Sequence, residues 1–200
     1  MNGRVVAVLT AESADDAERA CMAMLAAGLT SVEITFRSEA ALEAIRRASQ
    51  IDGLTVGAGT VLAEAQLTAA LDAGAKFAVA PSTNESVVRA AQAAGIEIVP
   101  GAATPTEIDR ARALGCRIIK IFPASLLGGP AFVRAVAAVF PDVRFVPTGG
   151  VRLDNLGDYL ALPSVLACGG TWICEPALLR AGRFDEIERR ARDAVSVVPP

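Results

Sequence analysis

The sequence predicts one (β/α)8 barrel, the TIM-barrel form of the α/β class, over residues 1–200. Short apolar runs alternate with amphipathic segments from end to end, in eight β-then-α units. Hydrophobic residues make up 52% of the chain and charged residues 20%, as in a globular protein. No linker, low-complexity segment or second domain interrupts this pattern. An open, doubly wound parallel sheet is the alternative that the same alternation allows.

Eight runs have the length and the apolar composition of buried strands. In chain order they are RVVAVL (4–9), SVEITF (31–36), LTVGAG (54–59), KFAVA (76–80), IEIVP (96–100), RIIKIF (117–122), VRFVP (143–147) and VLACGG (165–170). In barrel enzymes the working residues lie at the C-terminal ends of the strands, and an open α/β sheet favours the same ends. The residues that close each run are therefore the first candidates for function.

The segments between these runs carry the start and stop signals of helices. Residues 13–28 have Ser13 as a candidate N-cap and Gly28 as a stop. Residues 104–115 place Pro105 in the first turn, where its missing N–H is not needed. These signals support helices between consecutive strands, as the barrel requires.

Composition and charge exclude several classes of function. A net charge of −3 gives no basic surface for nucleic acid or an anionic membrane, and no apolar run is long enough to span a bilayer. The N-terminus lacks the apolar stretch of a signal peptide, and the four cysteines show no C-x-x-C spacing, so we expect a cytoplasmic protein with buried free thiols. The chain has no histidine, which excludes Ser-His-Asp and Cys-His catalysis and every zinc site that needs imidazole.

The second run, SVEITF, carries a charged residue where a barrel interior is expected. Side chains alternate along a strand, so Glu33 and Thr35 share one face, opposite Val32 and Ile34. The apolar face should meet the helices, which turns Glu33 into the barrel, with Arg37 following at the end of the strand. A structural Glu33–Arg37 ion pair and a working carboxylate are both compatible with this pattern.

The sixth run, RIIKIF, contains Lys120, and the only other lysine of the chain is Lys76. By alternation Lys120 shares a face with Ile118 and Phe122, so it too should point into the barrel. Burial disfavours the charged form of an amine, and a neutral amine is the nucleophile that forms a Schiff base with a carbonyl. A lysine paired with a carboxylate of the second strand is the structural alternative.

Glycine pairs follow the last two strands, in PTGGV (147–151) and CGGTW (168–172). Glycine lets backbone N–H groups approach an anion closely, and barrels often bind phosphate in the loops after strands seven and eight. Thr171 could add a hydroxyl. The third run ends in GAGT (57–60), where the glycines permit close approach by another chain or a ligand and Thr60 offers a hydroxyl.

Six motifs, in this order and at this spacing, resemble those of the class I aldolases that cleave 2-keto-3-deoxy-6-phosphogluconate (KDPG): VEITFR, GAGTV, PGAATPTE, KIFPAS, FVPTGGV and CGGTW. The same family includes aldolases that act on 4-hydroxy-2-oxoglutarate (KHG) and on the galactonate-derived analogue. The resemblance covers the chain from about residue 4 to residue 195. It implies a (β/α)8 barrel, commonly a homotrimer, with a small keto-acid substrate and no metal or organic cofactor.

Carried over residue by residue, Lys120 resembles the Schiff-base lysine and Glu33 the general acid/base. The other matching positions resemble substrate-binding groups: Arg37 and Thr60 hold the pyruvate portion, Pro81 and Phe122 line its pocket, Thr148 lies near the substrate hydroxyls, and Gly149, Gly150, Gly170 and Thr171 cradle the phosphate. The implied reaction is cleavage of KDPG to pyruvate and glyceraldehyde 3-phosphate, with KHG as a further substrate. Cleavage of the galactonate-derived analogue is the alternative within the family.

Three features depart from the usual pattern of this family. Thr171 stands where serine is common, which keeps the hydroxyl but adds a methyl group, and Thr10 ends the first strand where many relatives have arginine. The segment before the first strand is short, so the N-terminal helix that closes the barrel floor in many relatives is expected to be absent. Two other classes remain open: a phosphate-binding isomerase or synthase without a Schiff base, and a non-catalytic metabolite-binding barrel.

Overall fold

The short apolar runs form parallel strands, each followed by a helix. The computed structural model describes residues 3–198. The strands are β1 (Val5–Leu9), β2 (Ser31–Thr35), β3 (Thr55–Gly59), β4 (Phe77–Val79), β5 (Glu97–Val99), β6 (Gly101–Ala102), β7 (Ile118–Ile121), β8 (Arg144–Pro147) and β9 (Cys168–Gly170). The helices are α1 (Ala14–Ala26), α2 (Ala41–Ala48), α3 (Glu64–Asp72), α4 (Glu85–Ala93), α5 (Pro105–Ala113), α6 (Gly129–Val139), α7 (Leu153–Leu160), a 3-10 turn (Trp172–Cys174), α8 (Pro176–Arg180) and α9 (Phe184–Ser196).

The strands close into a ring, so the predicted barrel is confirmed and the open sheet is wrong. One sheet has the order β5-β4-β3-β2-β1-β9 and the other the order β6-β7-β8. β5 lies within the predicted fifth run, whereas β6 lies just beyond its predicted end at Pro100 and was not predicted. The Pro100 carbonyl between them accepts a hydrogen bond from the Lys120 N–H at 2.8 Å. Parallel bridges at Phe145–Val165 and Thr148–Gly169 join β8 to the last strand.

Two apolar clusters lie on the two sides of this ring. The interior cluster is small and contains Val6, Phe77, Val79, Val99, Val146 and Ala167. The larger cluster fills the space between strands and helices and contains Ile34, Ile119 and Ile121. The outward direction of these isoleucines confirms the predicted alternation, because Glu33 and Lys120 then face the interior.

The predicted helix signals are present. The Ser13 side chain accepts a hydrogen bond from the Asp16 N–H at the start of α1, and Gly28 has a φ of 85° just after that helix ends. Pro105 opens α5. Within residues 3–198, no helix combines the length and the apolar character needed to cross a membrane. The sequence predicts that no helix precedes β1. Part of that prediction concerns residues 1–2, which lie outside the described residues.

Candidate active site

Glu33 and Lys120 meet inside the barrel. Lys120 Nζ donates to both carboxylate oxygens of Glu33, at 3.2 and 3.4 Å. Glu33 is 3% exposed and Lys120 5% exposed, so neither charge is solvated. Because desolvating both charges costs about as much as their attraction contributes, such a buried pair adds little net stability to the fold. Removing one partner would leave an uncompensated buried charge. The arrangement places a carboxylate where it can accept the proton of the only interior ammonium group among the described residues.

The structure decides between the ion pairs that the sequence allowed. Glu33 pairs with Lys120 across the barrel and not with Arg37. Arg37 lies exposed in the turn after β2, and its guanidinium forms no ion pair with residues 3–198. It is therefore free to bind an anionic group.

Two glycines of β3 make room for side chains inside the barrel, one of them Glu33. A Cβ at Gly59 would lie 2.3 Å from Oε1 of Glu33, closer than any real contact. A Cβ at Gly57 would lie 2.2 Å from the ring of Phe77. The close approach predicted for the GAGT motif is therefore made by the chain itself: Gly59 accommodates the Glu33 carboxylate and Gly57 the aromatic ring beneath it.

Three other predicted residues surround the mouth of the barrel. The ring centroid of Phe122 lies 5.6 Å from Lys120 Nζ, and this ring is 38% exposed. Pro81 is half-buried just after β4. Thr60 follows β3 with a φ of 59°, a strained conformation for a β-branched residue and one that is found most often at functional sites.

The loop after β8 contains two consecutive glycines in the left-handed region. Gly149 and Gly150 have φ values of 91° and 77°. Within residues 3–198, the N–H groups of Gly149, Gly150 and Val151 have no hydrogen-bond acceptor. Consecutive N–H groups of this kind form a nest that binds phosphate or carboxylate. We call these three N–H groups the anion nest.

The end of β9 lies beside this loop. Thr148 is bridged to Gly169, and a Cβ at Gly169 would lie 2.4 Å from the Thr148 hydroxyl. Gly170 is buried, whereas Thr171 is exposed at the end of the strand. The structure thus brings the predicted Thr148, Gly149, Gly150, Gly170 and Thr171 to adjoining strand ends.

Two threonines form a contact that the sequence analysis missed. Thr10 Oγ1 and Thr35 Oγ1 are 2.7 Å apart at the ends of β1 and β2. Alternation along the second strand already placed Thr35 on the same face as Glu33, so its position inside the barrel could be predicted. Their pairing depends on the register between the two strands, which single-strand periodicity does not give.

A groove of about 500 Å³ between the starts of α7 and α8 and the middle of α9 contains neither Lys120 nor Glu33. Its lining includes Glu175, Arg189, Arg190 and Asp193, which already form ion pairs with one another or with Glu186. Its size alone does not make it the reaction site, and the buried charges favour the barrel interior.

Comparison with known proteins agrees with this geometry. Residues 1–190 match the family model described as "KDPG and KHG aldolase". The chain belongs to the KDPG and KHG aldolase family. The family resemblance stated from the six motifs is therefore confirmed.

Individual KDPG aldolases are similar over nearly the whole chain. The 2-dehydro-3-deoxy-phosphogluconate aldolase of Treponema pallidum is 42% identical over 98% of this chain and 93% of its own. The crystal structure of the KDPG aldolase of Zymomonas mobilis with 3-phosphoglycerate superimposes with a TM-score of 0.90, at 35% identity over 98% of this chain and 94% of that one. The KDPG aldolase of Legionella pneumophila, with pyruvate captured as a covalent carbinolamine, gives 0.91 at 30% identity, over 98% and 94%.

Proposed function

We propose that the protein is a class I aldolase that cleaves KDPG to pyruvate and glyceraldehyde 3-phosphate, and that it also accepts KHG. The observation that carries this proposal is the interior contact of Lys120 Nζ with the Glu33 carboxylate at 3.2 Å. Family membership and the carbinolamine of the Legionella relative support the same chemistry. Arginine could not replace Lys120, because a guanidinium stays protonated and is a poor nucleophile.

The first half of the reaction forms the Schiff base. Glu33 takes a proton from the Lys120 ammonium group, and the neutral nitrogen attacks the C2 ketone of the keto acid. The resulting carbinolamine loses its hydroxyl as water, for which protonated Glu33 supplies the proton. This step leaves Glu33 as a carboxylate beside a protonated Schiff base.

The second half breaks the carbon–carbon bond. Glu33 accepts the proton of the C4 hydroxyl, the electrons of the C3–C4 bond move into the iminium group, and the aldehyde leaves. Protonated Glu33 then returns the proton to C3 of the enamine. Hydrolysis of the Schiff base releases pyruvate and restores the Lys120 amine.

The remaining predicted residues would bind the two anionic ends of the substrate. Arg37, which is exposed and has no ion pair within residues 3–198, would bind the carboxylate of the pyruvate portion together with the Thr60 hydroxyl. Pro81 and Phe122 would line that pocket. The anion nest, Gly170 and the Thr171 hydroxyl would hold the phosphate, because the nest offers three N–H groups that no residue in 3–198 accepts from.

We also propose a homotrimer that works in the cytoplasm. The family supports the trimer, and the exposed apolar side chains of Leu126, Val139 and Leu62 are suitable for contact between copies. Four free cysteines, all buried, suit a reducing compartment. Light scattering after size exclusion would test the assembly, because a trimer has three times the chain mass of 20.6 kDa.

The mechanism is tested by trapping. Incubation with pyruvate and borohydride should leave a reduced adduct on Lys120, located by peptide mass spectrometry. Lys76 serves as the internal control, since it is exposed and outside the site. An adduct on Lys76 alone, or no adduct, would contradict the Schiff-base mechanism.

The role of Glu33 is tested by Glu33→Gln. Cleavage of KDPG should fall by about 10²- to 10⁴-fold, which is the typical contribution of one general acid/base. Some adduct formation should remain, because Lys120 is still present. Near-normal turnover in this variant would return Glu33 to a structural role.

A further inference from the structure

The hydrogen bond between Thr10 and Thr35 lies one step above the reacting residues. Val8 is in register with Glu33, so Thr10 and Thr35 continue that pairing one alternation further toward the carboxyl ends of the strands. Their Oγ1 atoms are 2.7 Å apart. The mechanism above uses neither hydroxyl.

Burial sets the direction of this hydrogen bond. Thr35 is 0% exposed, whereas Thr10 is half-buried. Within residues 3–198, Thr10 Oγ1 is the one hydrogen-bond partner of the Thr35 hydroxyl, and a buried O–H without an acceptor is costly. The geometry allows either hydroxyl to donate, and we assign Thr35 as the donor because its buried O–H has no other acceptor in residues 3–198. This assignment leaves the proton of Thr10 free to point away from Thr35. A hydroxyl that already accepts a hydrogen bond is also a stronger donor.

The space beside Thr10 suits a small uncharged group. A hollow of about 50 Å³ lies between Thr10 and the starts of α1 and α8, and a single water or hydroxyl needs no more space. Its lining does not include Glu33 or Lys120, so it borders the reaction site through Thr10. Arg180 is already paired with Glu12 at 3.2 Å, so the second carboxylate, Asp16, makes the lining negative. A phosphate or carboxylate is therefore disfavoured beside Thr10, and a hydroxyl is accepted.

We propose that Thr10 determines specificity by donating a hydrogen bond to the C5 hydroxyl of the six-carbon substrate, and that Thr35 is a positioning residue that orients it. This inference rests on the proposed function. β1 lies between β2, which carries Glu33, and β9, whose end (Gly170 and Thr171) would hold the phosphate together with the anion nest after β8. C5 likewise lies between C4, whose oxygen faces Glu33, and the phosphate on C6. Thr10 therefore lies between Glu33 and the phosphate site, just as C5 lies between C4 and the phosphate on C6.

The test uses the condensation reaction with two aldehydes. Pyruvate is condensed with glyceraldehyde 3-phosphate, whose 2-hydroxyl becomes the C5 hydroxyl, or with 3-oxopropyl phosphate, which lacks only that hydroxyl. Thr10→Val should lower kcat/KM for the first aldehyde by about 3- to 10-fold, as expected for one hydrogen bond, and leave the second unchanged. Thr35→Val should also lower the ratio of kcat/KM for glyceraldehyde 3-phosphate to kcat/KM for 3-oxopropyl phosphate. The double variant should lose no more than Thr10→Val, because Thr35 acts through Thr10.

A matched variant and an adduct measurement separate the role of Thr10 from a general loss of activity. Thr68→Val removes a hydroxyl that bonds the Glu64 carbonyl on exposed α3, and it should leave the ratio unchanged. If folded Thr10→Val loses kcat/KM equally on both aldehydes, or loses none, the assignment of Thr10 is wrong. If the losses of Thr10→Val and Thr35→Val add in the double variant, Thr35 does not act by orienting Thr10. Pyruvate trapping is measured in parallel, because its failure in the wild type counts against the proposed function and not against Thr10.

Discussion

Replacing Gly59 by alanine should damage catalysis through the position of one carboxylate. The added Cβ would lie 2.3 Å from Oε1 of Glu33, whereas ordinary contact begins near 3.4 Å. The carboxylate must therefore move by about 1 Å, a displacement that can cost about 10²-fold in rate. The backbone adds no further penalty, because Gly59 does not have a positive φ. We expect cleavage of KDPG to fall about 100-fold, with pyruvate still trapped on Lys120.

The neighbouring glycine gives a matched control. Gly57 lies on the same face of β3, and its added Cβ would meet the ring of Phe77 at 2.2 Å, below the reacting residues. Overpacking of this kind typically costs about 1–3 kcal/mol of stability. Gly57→Ala should therefore lower the urea midpoint and keep most of its turnover while folded, and Gly59→Ala should mainly lose turnover.

The comparison requires steady-state cleavage of KDPG, circular dichroism and urea unfolding on both variants. A Gly59→Ala enzyme that folds normally and turns over within about threefold of the wild type would refute the reasoning, since one displaced catalytic group should cost far more than that. The position of the Glu33 carboxylate would then not control the rate. Loss of turnover together with loss of the circular dichroism signal would instead show that the barrel cannot accommodate the added Cβ at position 59.

Two predictions concern stability and reactivity. The hydrogen bond from the Ala103 N–H is the main cause that lowers the pKa of Glu107 below 4.5, so its stabilising effect is present above that pH and is lost as the pH falls through the lowered pKa. The urea midpoints of wild type and Glu107→Gln should therefore differ at about pH 7 and converge as the carboxylate becomes protonated at acid pH. Burial raises the pKa of Cys21 and Cys168 to about 12 and also raises that of Cys116 and Cys174, so iodoacetamide at about pH 8 should leave activity and thiol count unchanged until urea unfolds the chain.

The inward direction of Glu33 and Lys120 could be predicted because strand alternation is a local property. Val32 and Ile34 flank Glu33, and isoleucines flank Lys120, so a period of two is enough to place both charges inside the barrel. The strand ends could also be predicted, since helix caps and glycine stops marked where each strand had to finish. The extent of the domain, residues 1–200, stays a prediction.

Contacts between strands could not be predicted in the same way. The Thr10–Thr35 bond depends on the register of β1 with β2, and the interruption at Pro100 depends on which neighbours the fifth strand meets on each side. The sequence ended that strand at Pro100, whereas pairing resumes at Gly101–Ala102 against β7. The need for glycine at position 59 is likewise set by a side chain on another strand. Such features depend on three-dimensional packing and not on local pattern.

The scarcity of lysine has a practical use in attaching the protein to a surface. Lys120 is buried in the barrel, and Lys76 is exposed immediately before β4, at the end of the barrel away from the mouth. Apart from the α-amino group, Lys76 is therefore the one amine that a bulky activated ester on a bead could reach. Coupling through Lys76 would attach the enzyme at the end of the barrel opposite the mouth, which leaves the mouth open to the flowing liquid of a reactor.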